Sequence, residues 1–223
     1  IMKIFDCFMY FDEEMILDLR LNILNSHVDY FIIVESRYNH KGEKRKLLFN
    51  KEKFIKYRDK IIYLVHDEVP SKVKRIDDED DEKTQTNKYI MNALYRENAQ
   101  RNYLVNGLNN ANNEDIILIS DVDEIPKIDK FEFNKVNNKI ILFRQDMFYY
   151  KFNLCLPNFK WTGTKACRKK DLISPQWLRN IKEKKYPFFR LDTFFSDKKY
   201  TDIKIVNDGG WHFSNIKTAK AIE

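Results

Sequence analysis

The 223-residue sequence predicts an α/β fold, with a mostly parallel, Rossmann-like central sheet and an antiparallel C-terminal extension. Three observations predict this class. The chain opens with a strand, a helix and a strand; a long helix in its middle leads into an apolar strand that ends in acidic residues; and long aromatic strands begin the second half. Because no linker-like stretch separates the halves, we expect one domain over residues 1–223, with halves at about 1–126 and 127–223.

The predicted parallel sheet begins with KIFDCFMYF at residues 3–11, an apolar and aromatic run typical of a buried strand. Apolar residues of segment 13–26 recur near helical spacing. VDYFIIVE at 28–35 is almost continuously apolar, as a parallel strand covered on both faces requires. Strand, helix and strand within about thirty residues form a βαβ unit. A short helix at about 51–57 and a third strand at 61–66 are predicted next.

The middle and the end of the chain supply the remaining predicted elements. A long helix is expected over 85–108, where NGLNN provides glycine and asparagine stop signals, and IILIS at 116–120 forms the fourth strand. ILFRQDMFYYKFNLCL at 141–156 predicts one or two long antiparallel strands with aromatic residues on both faces. Segments 201–206 and 209–214 are late strand candidates.

The composition excludes several classes of protein. Hydrophobic residues make up 43% and charged residues 33%, as in a soluble globular domain. Cys7, Cys155 and Cys167 show neither CxxC spacing nor a Cys/His cluster, so we expect reduced thiols and no disulfide framework or zinc site. No apolar run approaches the roughly 20 residues of a transmembrane helix. Because the start also lacks signal-peptide features, we expect a cytoplasmic chain without a membrane anchor.

The net charge of +6, from 40 basic and 34 acidic residues, is modest and hides local patterning. Acidic residues concentrate in DDEDDE at 77–82, and basic residues in KGEKRK at 41–46. Such runs are typical of solvated faces or loops. The basic excess raises the alternative of a nucleic-acid binder, but no recognisable RNA- or DNA-binding module is present, so we expect no nucleic-acid partner.

The stretch IILISDVDEIP, residues 116–126, places three acids at the end of an apolar strand. Carboxylates this close repel one another unless a cation lies between them or water screens them. In an extended segment Asp121 and Asp123 share a face while Val122 turns to the core, and two such carboxylates suit Mn²⁺ or Mg²⁺. A solvated turn is the alternative. The position counts toward the metal site, because ligands of open α/β sheets bind at the carboxyl ends of strands, and both interpretations stay open.

Two further classes of acidic motif fit this stretch less well. An EF-hand calcium loop is excluded on spacing, because Ile125 and Pro126 occupy the places of a ligand and of the invariant glycine. A phosphatase of the haloacid-dehalogenase type also places DxD after a strand, but there the motif lies near the N-terminus and a later acidic pair completes the metal site. Here the motif lies in mid-chain, and no convincing second pair follows.

Four separated stretches together resemble glycosyltransferase family 17, which contains the β-1,4-mannosyl-glycoprotein β-1,4-N-acetylglucosaminyltransferases. In chain order they are the N-terminal segment 3–36, AQRNYLVNGL at 99–108, IILISDVDEIP at 116–126 and GGWHFS at 209–214. The resemblance is thin between residues 158 and 208. Each stretch alone is weak evidence, but four in this order are specific.

The resemblance implies a GT-A-like fold, in which a Rossmann-like sheet binds a sugar nucleotide and a DxD motif holds its diphosphate through Mn²⁺ or Mg²⁺. It assigns nucleotide binding to the half at about 1–126 and the acceptor side to about 127–223. It also implies an inverting enzyme with a UDP-sugar donor, UDP-GlcNAc above others, and an oligosaccharide or glycoconjugate acceptor. Family members continue beyond GGWHFS, so we expect part of the acceptor site outside this chain. A catalytically silent sugar- or nucleotide-binding module of the same fold is the alternative.

The expected metal ligands are Asp121, Asp123 and His212. The two aspartates come from the motif itself, whereas His212 is chosen because it matches the WH position of the family. A neutral imidazole is a competent ligand for Mn²⁺. The alternative for His212 is a core histidine with a satisfied hydrogen bond, since Trp211 and Phe213 flank it.

Four residues are expected to bind the donor: Asp121, Arg101, Arg96 and Glu35. Arg101 lies within the family-like QRN, and a guanidinium can bind phosphate with two hydrogen bonds. Surface salt bridges are the alternative for both arginines. Glu35 ends the second strand at the same sheet edge as the acidic motif and could accept hydrogen bonds from uridine or ribose; a simple strand-terminal acid is equally consistent with the sequence.

The catalytic base and the acceptor contacts are the remaining predictions. Asp208, just before GGWHFS, is the first candidate base, because it could lie beside the metal pocket. Glu124, together with Asp146, is the alternative on the other side. Trp161, Tyr149 and Trp211 are candidate acceptor contacts, because aromatic rings can stack on sugar faces. Packing in the core is the alternative for all three.

Overall fold

The computed structural model describes residues 2–183 and 202–216, and nine strands of this part form one sheet. Residue 201, predicted to open a late strand, lies outside the described residues. The strands and helices are β1 (Ile4–Tyr10), α1 (Glu14–Leu24), β2 (Tyr30–Ser36), β3 (Ile61–His66), α2 (Glu82–Tyr103), β4 (Ile116–Asp121), β5 (Glu124–Pro126), β6 (Ile140–Tyr149), β7 (Cys155–Arg168), α3 (Pro175–Asn180), β8 (Ile203–Val206) and β9 (Gly210–Ser214). The strand order is β3-β2-β1-β4-β7-β6-β9-β5, and β8 pairs with β6.

The first half of the chain forms a parallel block within the sheet, which confirms the α/β prediction. β1 lies between β2 and β4, and β3 lies beyond β2, with all four strands parallel. Most side chains of β1, β2 and β4 are buried, because the sheet is covered on both faces. The four C-terminal ends therefore meet at one edge of the sheet, which Tyr10, Ser36 and Asp121 mark.

The second half extends the same sheet with mixed pairing. β7 runs antiparallel to both β4 and β6, whereas β8 and β9 are parallel to β6 and β5 is antiparallel to β9. The predicted segment 141–156 corresponds to β6 and the beginning of β7, but β7 continues to Arg168. The first seven residues of β7 are all exposed, so this stretch lacks the alternating burial from which a strand can be predicted.

Helices and turns cover the two faces with separate apolar clusters. On one face α1 packs against the sheet through four buried side chains: Ile16, Leu17, Leu21 and Leu24. On the other, the turn after α2 and the short α3 pack together with β-strand residues through Leu104, Leu108, Trp177 and Leu178. The two clusters hold the parallel strands between them and fix the sheet edge at which the acidic motif lies.

α2 begins at Glu82, three residues before the predicted start, because Asp81 caps it. The Asp81 carboxylate accepts from the backbone N–H of Thr84 at 2.7 Å. The helix ends at Tyr103, and a 3-10 turn over Leu104–Gly107 completes the predicted segment. Part of the acidic run thus forms a helix start rather than a loop. Within the described part of the chain, no helix is both long and apolar enough to cross a membrane.

Candidate active site

The acidic motif lies at the C-terminal edge of the parallel strands, in the tight connection from β4 to β5. β4 ends at Asp121 and β5 begins at Glu124. β5 pairs antiparallel with β9, so Glu124 lies opposite His212. The backbone N–H of Phe213 donates to the carbonyl of Asp123 at 2.9 Å. Strand pairing therefore brings the DxD motif and the WH motif to one place.

A buried arginine on α1 fixes the backbone of this connection. Arg20 and Asp6 of β1 are both fully buried, with Arg20 Nη2 2.6 Å from Asp6 Oδ1 and Nε 2.8 Å from Oδ2. The same guanidinium donates to three carbonyls and one hydroxyl, those of Asp121 (3.0 Å), Val122 (3.2 Å), Glu124 (2.8 Å) and Ser120 (2.5 Å). Because buried carbonyls without donors are costly, this side chain holds the path of the motif.

Asp121 lies between two arginines. Arg101 of α2 donates from Nη2 to Oδ1 at 3.0 Å, and Arg179 of α3 donates from Nη2 to Oδ2 at 2.7 Å. Burial raises the pKa of Asp121, but the charges of Arg179 and Arg101 outweigh burial and bring the pKa below its usual value. The carboxylate therefore stays ionised, and each oxygen has a cationic partner.

Glu124 is buried and engaged by three donors. Its Oε1 accepts from Trp161 Nε1 at 2.6 Å and from Arg179 Nη2 at 2.7 Å, while Oε2 accepts from the backbone N–H of Asp121 at 2.9 Å. Arg179 thus bridges two carboxylates: burial lowers its pKa, but Glu124 and Asp121 raise it above its usual value. Glu124, the second candidate base, therefore orients Trp161, Arg179 and the backbone of Asp121.

Asp123 and His212 form the less engaged part of the site. Asp123 Oδ2 lies 3.3 Å from His212 Nε2. Burial lowers the pKa of His212, but the hydrogen bond to Asp123 and the charges of nearby acids outweigh it, so the pKa lies above its usual value. Within the described chain, Nδ1 of His212 is buried and has no hydrogen-bond partner. Asp123 is therefore the side chain that orients this histidine.

This pair suits a divalent metal that is shared with a substrate. Among residues 2–183 and 202–216, no group of three or more His, Cys, Asp or Glu side chains could hold a metal by itself. Mg²⁺ is usually bound by one or two carboxylates together with substrate phosphates and water, and Mn²⁺ likewise prefers oxygen ligands. Asp123 and neutral His212 fit the protein's part of such a site. Asp121, the third predicted ligand, instead has an arginine at each oxygen.

Two cavities adjoin the pair. The first, of about 260 Å³, is bordered by the end of β1, His40, Gln100, the acidic motif and Trp161. The second, of about 270 Å³, is bordered by the start of α1 and by residues 213–216. Glu13 and Asp123 border both cavities. The site thus offers two spaces that meet at these carboxylate side chains.

Glu35, predicted to contact the donor, is fully buried and holds the loop that follows β2. Its carboxylate accepts from Arg45 (3.0 Å), from the backbone N–H groups of Leu48 (2.7 Å) and Phe49 (3.1 Å), and from the Tyr63 hydroxyl (2.8 Å). It borders neither cavity. The strand-terminal position was thus correctly inferred, but its hydrogen bonds are those of a loop anchor.

The two predicted donor arginines of α2 lie in different surroundings. Arg101 is 3% exposed and reaches Asp121. Arg96 donates to the carbonyl of His40 at 2.9 Å and so supports the loop that borders the first cavity. Gly42 makes room for it, because its φ is +91° and a Cβ there would lie 2.4 Å from Arg96 Nη2.

Asp208, the first candidate base, lies apart from the acidic motif. It pairs with Lys127 at 2.5 Å, and the two border another cavity together with Asp129 and Phe131. Asp208 precedes β9, whereas His212 lies in the middle of that strand. Asp208 therefore lies beside Lys127 and not, as predicted, beside the metal pocket.

The three candidate acceptor aromatics are dispersed. Trp161 borders the first cavity, and its ring centroid lies 5.4 Å from that of His212. Tyr149 ends β6, with its ring 5.8 Å from that of Tyr150. Trp211 borders a different cavity beside α1, because successive residues of a strand point to opposite faces. Trp161 is thus the candidate that lies at the site.

Sequence reasoning missed Arg20, Arg179 and Glu13. The sequence does contain a signal for Arg20, because this charged residue lies among the apolar residues on the buried face of α1. Glu13 follows β1 at the same sheet edge, so the reasoning applied to Glu35 would have identified it. Arg179 carries no local signal: its partners Asp121 and Glu124 are 58 and 55 residues away in the chain.

Comparison with known proteins identifies the class. The model of glycosyltransferase family 17 matches residues 1–219. The chain therefore belongs to glycosyltransferase family 17, and its function is glycosyl transfer, with a sugar donor and a glycan acceptor. A search of curated proteins found no match.

Proposed function

We propose that the protein is an inverting, divalent-metal-dependent glycosyltransferase of GT-A-like fold that transfers GlcNAc from UDP-GlcNAc to an oligosaccharide or glycoconjugate. The observation that carries the proposal is the pair Asp123–His212 at the C-terminal edge of the parallel strands. That edge is where open α/β sheets bind ligands. Family membership supplies the reaction class, and the pair supplies the chemistry expected of a metal site.

Charge balance supports a metal requirement. The motif presents three carboxylates, Asp121, Asp123 and Glu124, to two guanidinium groups, those of Arg101 and Arg179. With His212 neutral, these five side chains carry one net negative charge, so by themselves they would repel a diphosphate. A divalent metal held there would supply positive charge that neutralises the diphosphate and stabilises the departing UDP. Asp123 and His212 are the residues that would hold it.

The remaining residues orient this arrangement. Arg20 fixes the turn, and Arg179 bridges the carboxylates of Asp121 and Glu124. The first cavity, with Gln100 and the end of β1, is the expected donor space. Trp161 borders it beside His212, where an aromatic face could contact a sugar.

A catalytically silent sugar- or nucleotide-binding module is the second candidate. One observation favours it: arginines engage both oxygens of Asp121. Of the three expected metal ligands, this leaves Asp123 and His212. Such a protein would bind UDP-sugars without breaking the glycosidic bond.

The test is to incubate the protein with UDP-GlcNAc and a panel of oligosaccharides, with Mn²⁺ or with EDTA. Released UDP, binding of UDP-GlcNAc by calorimetry and the anomeric configuration of the product are measured. The proposal expects UDP release with Mn²⁺, its loss in EDTA, and a product whose new linkage has the opposite anomeric configuration to the donor. Binding without release would support the silent module. Absence of both binding and release would contradict both candidates.

A further inference from the structure

Glu13 occupies a distinctive place between the two cavities. It lies between the end of β1 and the start of α1, at the same sheet edge as the acidic motif. Together with Asp123 it borders both cavities. In a transferase, a base must lie where the donor space meets the acceptor space, because it removes a proton from the hydroxyl that attacks the donor.

Local hydrogen bonds fix the Glu13 carboxylate. The backbone N–H groups of Phe11 and Asp12 both donate to Oε2, each at 3.0 Å. Burial raises the pKa of Glu13, backbone hydrogen bonds lower it, and the net pKa lies above its usual value. A base with a raised pKa accepts a proton more readily. The side chain is therefore positioned and also more basic than an exposed glutamate.

The other acids of the site have different partners. Asp121 lies between Arg101 and Arg179. Glu124 is engaged by Arg179, Trp161 and a backbone N–H, and Asp123 is paired with His212. Asp12 borders the second cavity only, whereas Glu13 borders both and accepts hydrogen bonds from its own loop.

We propose that Glu13 is the catalytic base of the transfer, an assignment that rests on the proposed function. Its carboxylate takes the proton of the acceptor hydroxyl as the hydroxyl oxygen forms a bond to the anomeric carbon of the donor. The bond from that carbon to the β-phosphate oxygen breaks at the same time. UDP leaves with the electron pair, and Glu13 ends the step protonated. Water in place of the glycan follows the same course, so hydrolysis of UDP-GlcNAc reports on the same base.

Glu13→Gln tests this assignment with little change of structure. The glutamine amide keeps one oxygen to accept from Phe11 and Asp12 but cannot take the proton. Glu14→Gln is the matched control, because Glu14 is the next residue and makes an exposed ion pair with Lys53. Binding of UDP with Mn²⁺ is measured by calorimetry, and release of UDP from UDP-GlcNAc is measured with water and with the glycan panel.

The expected result is that Glu13→Gln binds UDP within about twofold of wild type but releases UDP about 100- to 10,000-fold more slowly, while Glu14→Gln matches wild type in both measurements. Glu13→Asp keeps a carboxylate and should retain at least about tenfold more activity than Glu13→Gln. Three results would overturn the assignment. Glu13→Gln could release UDP as fast as wild type, or only as fast as Glu13→Asp. The third is a loss of UDP binding in Glu13→Gln that accounts for its lower rate. If wild type neither binds nor hydrolyses UDP-GlcNAc, the proposed function fails and the assignment of Glu13 fails with it.

Discussion

Asp121 and Asp123 lie two residues apart in one turn, yet their surroundings differ. Asp121 has an arginine at each carboxylate oxygen, at 3.0 and 2.7 Å, from two different helices. Within residues 2–183 and 202–216, Asp123 pairs with His212 at 3.3 Å, and it borders both cavities. The same residue type therefore has two environments. The carboxylate of Asp121 ties α2 and α3 to the end of β4 beside the first cavity, whereas that of Asp123 lies between both cavities.

This difference shows that a DxD pattern alone does not specify two equivalent metal ligands. The extended geometry of the turn predicts that both aspartates share a face, but only the packing of α2 and α3 determines which carboxylate is neutralised by protein cations. Single substitutions of the residues that cause this difference between Asp121 and Asp123 can test it.

Arg20→Met should have the largest effect on stability, because it leaves Asp6 buried without its partner and removes the donor to the motif backbone. Breaking a buried ion pair typically costs about 3–5 kcal/mol. Urea unfolding measures this loss, with Arg58→Met as the control because the Arg58 side chain is 72% exposed. Adding Asp6→Leu should recover part of the loss only, since the turn carbonyls stay unpaired. A loss under about 1 kcal/mol for Arg20→Met would contradict this role.

Arg179→Met should have the next largest effect, because it leaves Asp121 and Glu124 close together without the cation that bridges them. We expect a loss of about 1.5–3 kcal/mol, the range for hydrogen bonds to charged groups. In a double-mutant cycle, Glu124→Gln should cost less stability in the Arg179→Met background than in wild type. In that background the substitution also removes the repulsion between the carboxylates of Asp121 and Glu124. Strict additivity of the two substitutions would show that Arg179 does not bridge the carboxylates.

Lys165→Met should change the pH dependence of stability, and its effect at neutral pH should be small beside its effect at high pH. Lys165 donates to the carbonyls of Arg179 and Ile181, and burial together with the charge of Arg179 lowers its pKa to about 8. Between pH 8 and the ordinary lysine value of 10.5, the unfolded chain binds one more proton than the folded chain, so this group makes stability rise with pH.

The measurement is the free energy of unfolding of wild type minus that of Lys165→Met, from urea titrations between pH 7 and pH 10.5. This difference should be flat below pH 8 and then rise by at most about 1.4 kcal/mol per pH unit. Other titrating groups are common to both proteins and cancel. A difference that is constant over the whole range would mean that Lys165 is not buried beside Arg179.

The parallel strands and the place of the acidic motif could be predicted from the sequence, because both depend on local patterns. Apolar runs mark β1, β2 and β4, and DVDE begins at Asp121, the last residue of β4. The nearness of His212 to the motif was inferred from the family resemblance of GGWHFS, and the pairing of β5 with β9 supplies its physical cause.

What could not be predicted depends on contacts between distant segments. Arg179 meets the motif only because α3 packs against the sheet, and nothing in PQWLRN indicates a partner 58 residues away. The exposed beginning of β7 has no burial pattern from which to infer a strand. Asp208 was chosen for its nearness to His212 in sequence, but the start of β9 places it beside Lys127 instead.

The most direct test of this division of roles is calorimetry of UDP binding, with Mn²⁺ and with EDTA, in wild type, Asp123→Asn and Asp121→Asn. If the less engaged carboxylate holds the metal, Asp123→Asn should weaken Mn²⁺-dependent binding by about 10- to 100-fold or more and leave binding in EDTA unchanged. Asp121→Asn should retain the metal dependence, because arginines engage that carboxylate. Full Mn²⁺-dependent binding by Asp123→Asn, or its loss in Asp121→Asn alone, would contradict the central claim.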